Sequence, residues 1–410
     1  MILEKYKDTY NKFISKYEEI HVNPWHNVSK EELDKIYHDL ITSMDINDKY
    51  SFIYFMNYII KKLNGKSDAH TKLRLELGYY FLPVYFRIFD NTVICMSPLK
   101  FKNAILKSIN DIPIETIIKE IDNVISYGTE GKRIYETEKS LFNTAILYSL
   151  PSLRNSNELS YKMVLNEKTI IKTYKQNETI LKEDKFPFIN YCYQDNATYR
   201  FENNCLIYTH KSVQSQFKDK IKNTIDCLRQ INLDNIDTII IDLRGNFGGN
   251  ASLNKYLIDF LKENADKKLF ALTDYRVFSG GRYALRDLIN LGAVTIGDEI
   301  STPINCYGNC YLEKINEYWT FTISEHYYHP MLNISFKSKE EYQNGITPEI
   351  SKDYIFHPNI LVKETSKDFI NNNDPVLQKA LELAVKKSKT YLRLLHDMFF
   401  YLNISSIIFK

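Results

Sequence analysis

Thr238-Ile239-Ile240-Ile241-Asp242-Leu243-Arg244-Gly245-Asn246-Phe247-Gly248-Gly249 is the stretch on which the reading of this chain turns. Its first four residues are an unbroken β-branched run, the composition of a strand covered on both faces of an α/β sheet. A glycine-rich turn follows, and residues 252–262 then carry helical spacing. Strand, glycine turn and helix is the layout that presents backbone N–H groups at a helix N-terminus. The same layout recurs downstream, as a strand over 269–273, the turn Phe278-Ser279-Gly280-Gly281, a helix over about 282–291 and a strand over 293–296. In a sheet with helices on both faces, two such turns can meet at the edge where open α/β sheets bind their ligands. One tip offers a hydroxyl, Ser279, and the other offers amides. Acyl transfer needs such a nucleophile together with N–H donors aimed at the developing oxyanion, and losing one donor costs roughly 10²- to 10³-fold in rate. Gly248, Gly249 and Gly280 let the backbone approach a carbonyl with no Cβ in the way. The plainer alternative is a pair of ordinary tight turns with Ser279 as a helix cap.

Working outward, a strand over 206–209 and a helix over 217–231 precede this block, after the break at Asp184-Lys185-Phe186-Pro187. Residues 3–63 repeat apolar side chains every three or four positions, which predicts amphipathic helices. Ser29 with Glu32 three residues later marks the start of the second as a capping box, and a third helix runs over about 49–63. Residues 73–95 suggest short strands around Pro83, and 103–125 read as strand, turn and helix. Residues 126–183 show strand and helix patches without clear boundaries. A final helix begins at Asp374, with Pro375 well suited to its first helical position. The expected organisation is a helical module over 1–80, a small mixed domain over 81–183, an α/β core over 184–385 and an apolar tail over 386–410. The tail reads either as a docking helix or as an association segment of a homo-oligomer.

With 410 residues, two or three packed units are expected. Lys plus Arg number 53 against 51 for Asp plus Glu, so net charge gives no reason to expect nucleic acid or an anionic membrane as partner. A peptide or small molecule fits better. The six cysteines, Cys95, Cys192, Cys205, Cys227, Cys306 and Cys310, lack CxxC spacing and read as reduced thiols rather than a disulfide framework or a zinc site. The amphipathic N-terminus has no apolar core of a secretory signal, which makes the cytoplasm the expected compartment. The most apolar window, 391–409, is broken by Arg393, His396 and Asp397 and is not expected to span a membrane. His21 and His26 flank the Pro24-Trp25 turn and are expected at the surface or as capping residues.

These motifs resemble the tail-specific, or C-terminal-processing, serine peptidases, which share their catalytic core with the tricorn protease. The family's [IV]-[IV]-D-L-R-x-N-x-G-G element is similar to residues 240–249. Its nucleophilic serine before a helix, and the following strand with a Val/Ile-Gly-Glu turn, match Phe278-Ser279-Gly280-Gly281 and Thr295-Ile296-Gly297-Asp298. Asn344-Gly345-Ile346-Thr347-Pro348-Glu349-Ile350 is similar to its G-[VI]-x-P-[DE]-[IV] element, and Asp374-Pro375-Val376-Leu377 to its closing helix. The likeness covers about residues 10–385 and is strong only at these blocks. It implies a crotonase/ClpP-like catalytic core with a small degenerate PDZ-like, β-rich insert over about 82–122, and a serine-type endopeptidase acting on peptides or unfolded protein without metal or organic cofactor. Ser279 would be the nucleophile, and Gly248, Gly249 and Gly280 would line the oxyanion hole.

The base is where the sequence departs from the pattern. Tail-specific enzymes place a lysine six residues after the Val/Ile-Gly glycine, and here that position is Pro303. The tricorn branch uses a histidine after the N-terminal helices, and Ser67-Asp68-Ala69-His70-Thr71 occupies the corresponding place, which makes His70 the candidate base. The second serine that tricorn-type sites carry beside the histidine is Ala69 here, so the group that orients His70 is unassigned. Asp242 and Arg244 read as a structural pair that fixes the turn. Two rivals stand beside the peptidase: an inactive relative that binds peptide in the same cleft, suggested by Pro303 and Ala69, and a crotonase-like acyl-CoA enzyme in which Ser279 would be idle.

Overall fold

The computed structural model describes residues 2–74, 81–175, 195–301 and 303–385. Its contacts divide the chain into two compact units, Met1–Asn190 with Thr302–Tyr354, and Tyr191–Ser301 with Ile355–Lys410.

In the first unit, three helices, Glu4–Ile20, Lys30–Ser43 and Lys49–Asn64, form where the three- and four-residue spacing predicts them. Ser29 makes the expected capping box, accepting the Glu32 amide while its own amide donates to the Glu32 carboxylate. Asp48 starts the third helix by accepting from the amides of Tyr50 and Ser51. The apolar faces, among them Tyr10, Phe13, Phe52, Phe55 and Ile59, close on Trp319, Phe321 and Ile323 in one core.

Phe321 and Ile323, just after Trp319, belong to a small antiparallel sheet in which β1 (Lys72–Arg74), β14 (Thr320–His329) and β13 (Cys306–Lys314) lie in that order, with β15 (Ile334–Phe336) also on β14. Leu73 sits opposite Phe321. A larger antiparallel sheet runs β2 (Tyr85–Phe89), β3 (Thr92–Ser97), β4 (Ile105–Ile109), β6 (Glu158–Leu165) and β7 (Lys168–Lys175), with β5 (Ile112–Pro113) beside β4. The stretch expected to form a PDZ-like unit therefore does not end its sheet near residue 122, because β6 pairs with β4, Leu106 facing Met163.

The second unit is a six-stranded sheet in the order β16 (Ile360–Leu361), β12 (Val294–Gly297), β11 (Lys268–Thr273), β10 (Thr238–Asp242), β9 (Cys205–Thr209) and β8 (Thr198–Glu202). All neighbours are parallel except the β8–β9 hairpin. The β-branched run sits at the centre with residues 238–241 buried, as a doubly covered strand requires. Ile240 packs with Ile207, Phe270 and Val294 on the face closed by Val376, Ala380 and Leu383 of the helix Pro375–Val385. The predicted helices appear at Lys218–Arg229, Asn254–Glu263 and Gly280–Asn290.

The expectation of one core over 184–385 differs from these units. Residues 303–354 group with the first unit because β14 pairs with β1 and supplies apolar side chains to the helical core. The tail over 386–410 and Cys192 lie outside the described residues; the other five cysteines are free thiols. No helix among the described residues is long and apolar enough to cross a membrane.

Candidate active site

Each of the two central strands of the second unit ends in an Asp-x-Arg step. At the end of β10, Asp242 Oδ1 accepts the Arg244 amide at 3.0 Å, and its carboxylate takes Nε at 2.9 Å and Nη2 at 2.8 Å. The far side of the same guanidinium makes a second fork with Asp374, at 2.7 and 2.8 Å. Asp374 also accepts the Leu377 amide and so begins the closing helix. Burial alone would push the Arg244 pKa down, but the two carboxylates hold it well above its ordinary value. After β11 the arrangement repeats: Asp274 accepts the Arg276 amide at 3.0 Å and its Nε at 2.7 Å, and also takes the Gly245 amide at 2.9 Å. Asp274 thus ties the second turn to the first. It escaped the reading of the sequence, where the recurrence of Asp-x-Arg at 242–244 and 274–276 was the available signal.

Asn246, fully buried, joins the turns further. Its carbonyl accepts the Phe278 amide at 2.9 Å and its Oδ1 accepts the Gly248 amide at 2.9 Å. The turns then touch at their tips. A Cβ on Gly248 would lie 2.4 Å from the Gly280 nitrogen and 2.8 Å from Ser279 Cβ, and one on Gly280 would lie 2.7 Å from the Gly249 oxygen. Any side chain at 248 or 280 would force the turns apart. Since the Gly248 N–H is taken by Asn246, the expectation that it lines an oxyanion hole is narrowed. Of the three glycines, Gly249 and Gly280 have amides that donate to nothing among the described residues.

Between β11 and the helix Gly280–Asn290 sits Ser279, half-buried, at φ 48° and ψ −119°. A residue with a Cβ is rarely found there, and such conformations cost about 1–3 kcal/mol. The plain alternative of a helix cap fails, because the Ser279 side chain makes no capping bond to the helix. A strained serine on a sharp strand-to-helix turn is the geometry by which α/β hydrolases expose a nucleophile.

In the first unit, His70 follows the third helix and is half-buried. Its Nδ1 lies 2.9 Å from the Tyr307 carbonyl oxygen. A carbonyl can only accept, so Nδ1 carries the proton and Nε2 is the acceptor nitrogen that a general base needs. Tyr307 is therefore the orienting group that the sequence left unassigned, and it comes from β13. The backbone of His70 is fixed by Asp68, whose Oδ1 accepts the amides of His70 at 2.9 Å and Thr71 at 3.0 Å and the Ser324 hydroxyl at 2.7 Å.

Asp68 Oδ2 lies 3.4 Å from His21 Nε2, with both side chains fully buried. His21 Nδ1 accepts the Asn23 amide, which leaves the ring proton on Nε2, facing the carboxylate. His26 sits between the carbonyls of Asn23 and Asn64, each at 3.0 Å, and burial and then the neighbouring His21 push its pKa down. His21 is the C-cap of the first helix, its amide donating to the Tyr17 carbonyl, as one half of the expectation had it, but the surface placement is corrected, since the two rings stack on each other and lie tilted against Tyr307. Pro303, in the family's lysine position, belongs to this unit, where its Cδ lies close to Gly128.

No protein-family model matches the sequence, and no curated protein matches it. Solved structures do. A CPAF mutant, in which one serine is replaced by alanine, aligns with a TM-score of 0.61 at 10% identity over 95% of this chain and 98% of its own. Mature CPAF, a chlamydial serine protease, gives 0.59 at 10% identity over 96% and 98%. CPAF bound to lactacystin gives 0.51 at 10% identity over 85% and 89%. At such identity the likeness is one of fold, and the chain has a mixed α/β fold resembling that of the CPAF peptidase.

Proposed function

We propose that this chain is a serine-type peptidase of the tail-specific/tricorn-like kind, acting on peptides or unfolded protein. Ser279 attacks the peptide carbonyl, His70 takes its proton through Nε2 and returns it to the leaving amine, and the amides of Gly249 and Gly280 hold the oxyanion. The observation that carries this reading is Ser279 at φ 48° on a strand-to-helix turn, its side chain unused as a cap and so near the Gly248 turn that a Cβ there would clash with it. The role of His70 rests on its own local chemistry, the Tyr307 carbonyl fixing the tautomer a base requires. No cofactor enters this scheme.

A fluorophosphonate probe followed by mapping of the labelled residue tests it. Label is expected on Ser279, absent in Ser279→Ala, and slower in His70→Ala by roughly the 10²- to 10⁴-fold that general-base catalysis supplies. Label on another residue overturns the nucleophile, and label at full rate in His70→Ala removes the base. Lactacystin, which CPAF holds in a similar structure, serves as a second probe. Pro303 and Ala69 favour one rival, an inactive relative that binds peptide in the same place. It predicts peptide binding with no label at all.

A further inference from the structure

Behind the Ser279 turn, within the second unit, a relay of two buried side chains joins the end of β9 to the carbonyl of Gly280, the residue after the serine. Asn254, 1% exposed, donates from Nδ2 to the Gly280 carbonyl at 3.2 Å, and its Oδ1 lies 2.9 Å from His210 Nε2. The Gly280 oxygen accepts only, which fixes the orientation of the amide. Oδ1 is then the acceptor, and His210 must carry its proton on Nε2. His210 is fully buried, and its main chain is pinned on both sides, the amide donating to the Asp242 carbonyl at 2.9 Å and the carbonyl accepting from Asn246 Nδ2 at 2.7 Å.

Two observations set this relay apart from ordinary core packing. His210 Nδ1 is buried without a hydrogen-bond partner, so the imidazole forgoes one bond and makes only the one that reaches Asn254. Buried polar groups with an unmet partner call for a reason. Burial also pushes the His210 pKa down, which keeps the ring neutral and its Nε2 proton in place for Asn254. The second observation is Ser279 itself. A residue at φ 48°, ψ −119° relaxes unless the peptides on both sides of it are held. Its own two peptides are held at their carbonyls, the Phe278 oxygen accepting the Gly281 amide at 2.9 Å and the Ser279 oxygen accepting the Arg282 amide at 3.0 Å and its Nε at 3.3 Å. One peptide further out on either side, the Phe278 amide is held by the Asn246 carbonyl at 2.9 Å and the Gly280 carbonyl by Asn254 at 3.2 Å.

We propose that Asn254, its amide oriented by His210, is a positioning residue that steadies Gly280 and, together with Arg282 and Asn246, clamps Ser279 in its strained conformation, and so aims both the Ser279 hydroxyl and the Gly280 N–H. The consequence for rate rests on the nucleophile reading above, whereas the clamp does not.

The test uses the full chain with Asn254→Asp, which keeps an acceptor for His210 but has no N–H for Gly280. Asn254→Ala and His210→Asn serve as second routes should that variant not fold. Crystal structures of wild type and variant are compared at residues 278–281. The expected result is Ser279 leaving positive φ, or the 279–281 segment splitting into more than one conformer. In parallel, the fluorophosphonate inactivation constant at saturating probe should fall about 10- to 100-fold, as a displacement near 1 Å can cost, while the probe's binding constant changes little. A folded variant with Ser279 unmoved and labelled at the wild-type rate overturns the proposal. If wild type itself takes no label, the nucleophile reading fails, and the conformation of Ser279 in the variants still decides whether the clamp exists.

Discussion

Asp68 carries more of the local structure than its neighbour His70, the proposed base. Burial by itself would raise its carboxyl pKa, but the bonds from His21 and Thr71 outweigh that and hold it well below the usual carboxylate range. A group depressed in the folded state stabilises the fold fully above its unfolded pKa, near 3.9, and loses that contribution as pH falls through the lower folded value. The Asp68→Asn amide can keep one acceptor for the loop amides but sets an NH2 group against the His21 Nε2 proton, and a buried donor left unsatisfied costs about 1–3 kcal/mol. Asp68→Asn should therefore lower stability by roughly that amount at pH 7. The gap to wild type should stay constant down to about pH 4 and narrow steadily below it. Urea melts of both proteins at a series of pH values measure the gap directly, and a gap that widens in acid would contradict the assigned charge. Slower labelling in the same variant would report the displaced His70 loop.

At the scale of elements, the turn after β10 is held to the closing helix by one guanidinium shared between Asp242 and Asp374. Arg244→Met leaves two carboxylates facing each other. The expected loss is about 3 kcal/mol, the low end for a buried pair since the Asp374 side chain is 38% exposed. Arg244→Lys should recover only part of it, because an ammonium cannot fork to two carboxylates. Thermal melts of the three proteins check both statements. The Asp242–Arg244 half of this lock, the β10 strand and the paired glycine turns were legible in the sequence because each depends on residues adjacent in the chain: a β-branched run, glycines, an Asp two positions before an Arg; the Asp374 half, 130 residues away, was not. The β6–β7 hairpin was not. Its two-residue turn is Asn166-Glu167, both at positive φ, and the glycine that usually marks such turns is missing. The Tyr307 carbonyl that orients His70 was equally hidden, since a backbone acceptor 237 residues away leaves no mark on residue type.

Across the whole molecule, the order of units does not follow the order of the chain. Residues 303–354 leave the parallel-sheet unit and complete the helical one, where the ring of Phe13 lies tilted against Phe321 with centroids 4.5 Å apart and Phe52 meets Trp319 edge-on at 4.8 Å. The alternation in β14 shows that it is a strand but not which strand it joins, and its pairing with β1 is a contact between residues some 250 positions apart, as the Thr322–His70 bond illustrates. That partition can be read from where a core substitution is felt. Phe321 is fully buried, and Phe→Ala in such a core costs about 3–5 kcal/mol through lost transfer energy and the cavity left behind. Sub-global opening is local to the unit whose packing is weakened. In Phe321→Ala, amide exchange should therefore quicken by roughly 10²- to 10³-fold in the helices Glu4–Ile20 and Lys49–Asn64 and in β14. The amides of β9, β10 and β11 should keep their wild-type rates. Hydrogen-exchange mass spectrometry resolves these peptides separately, and acceleration of β10 with the N-terminal helices unaffected would place residues 303–354 back with the parallel sheet.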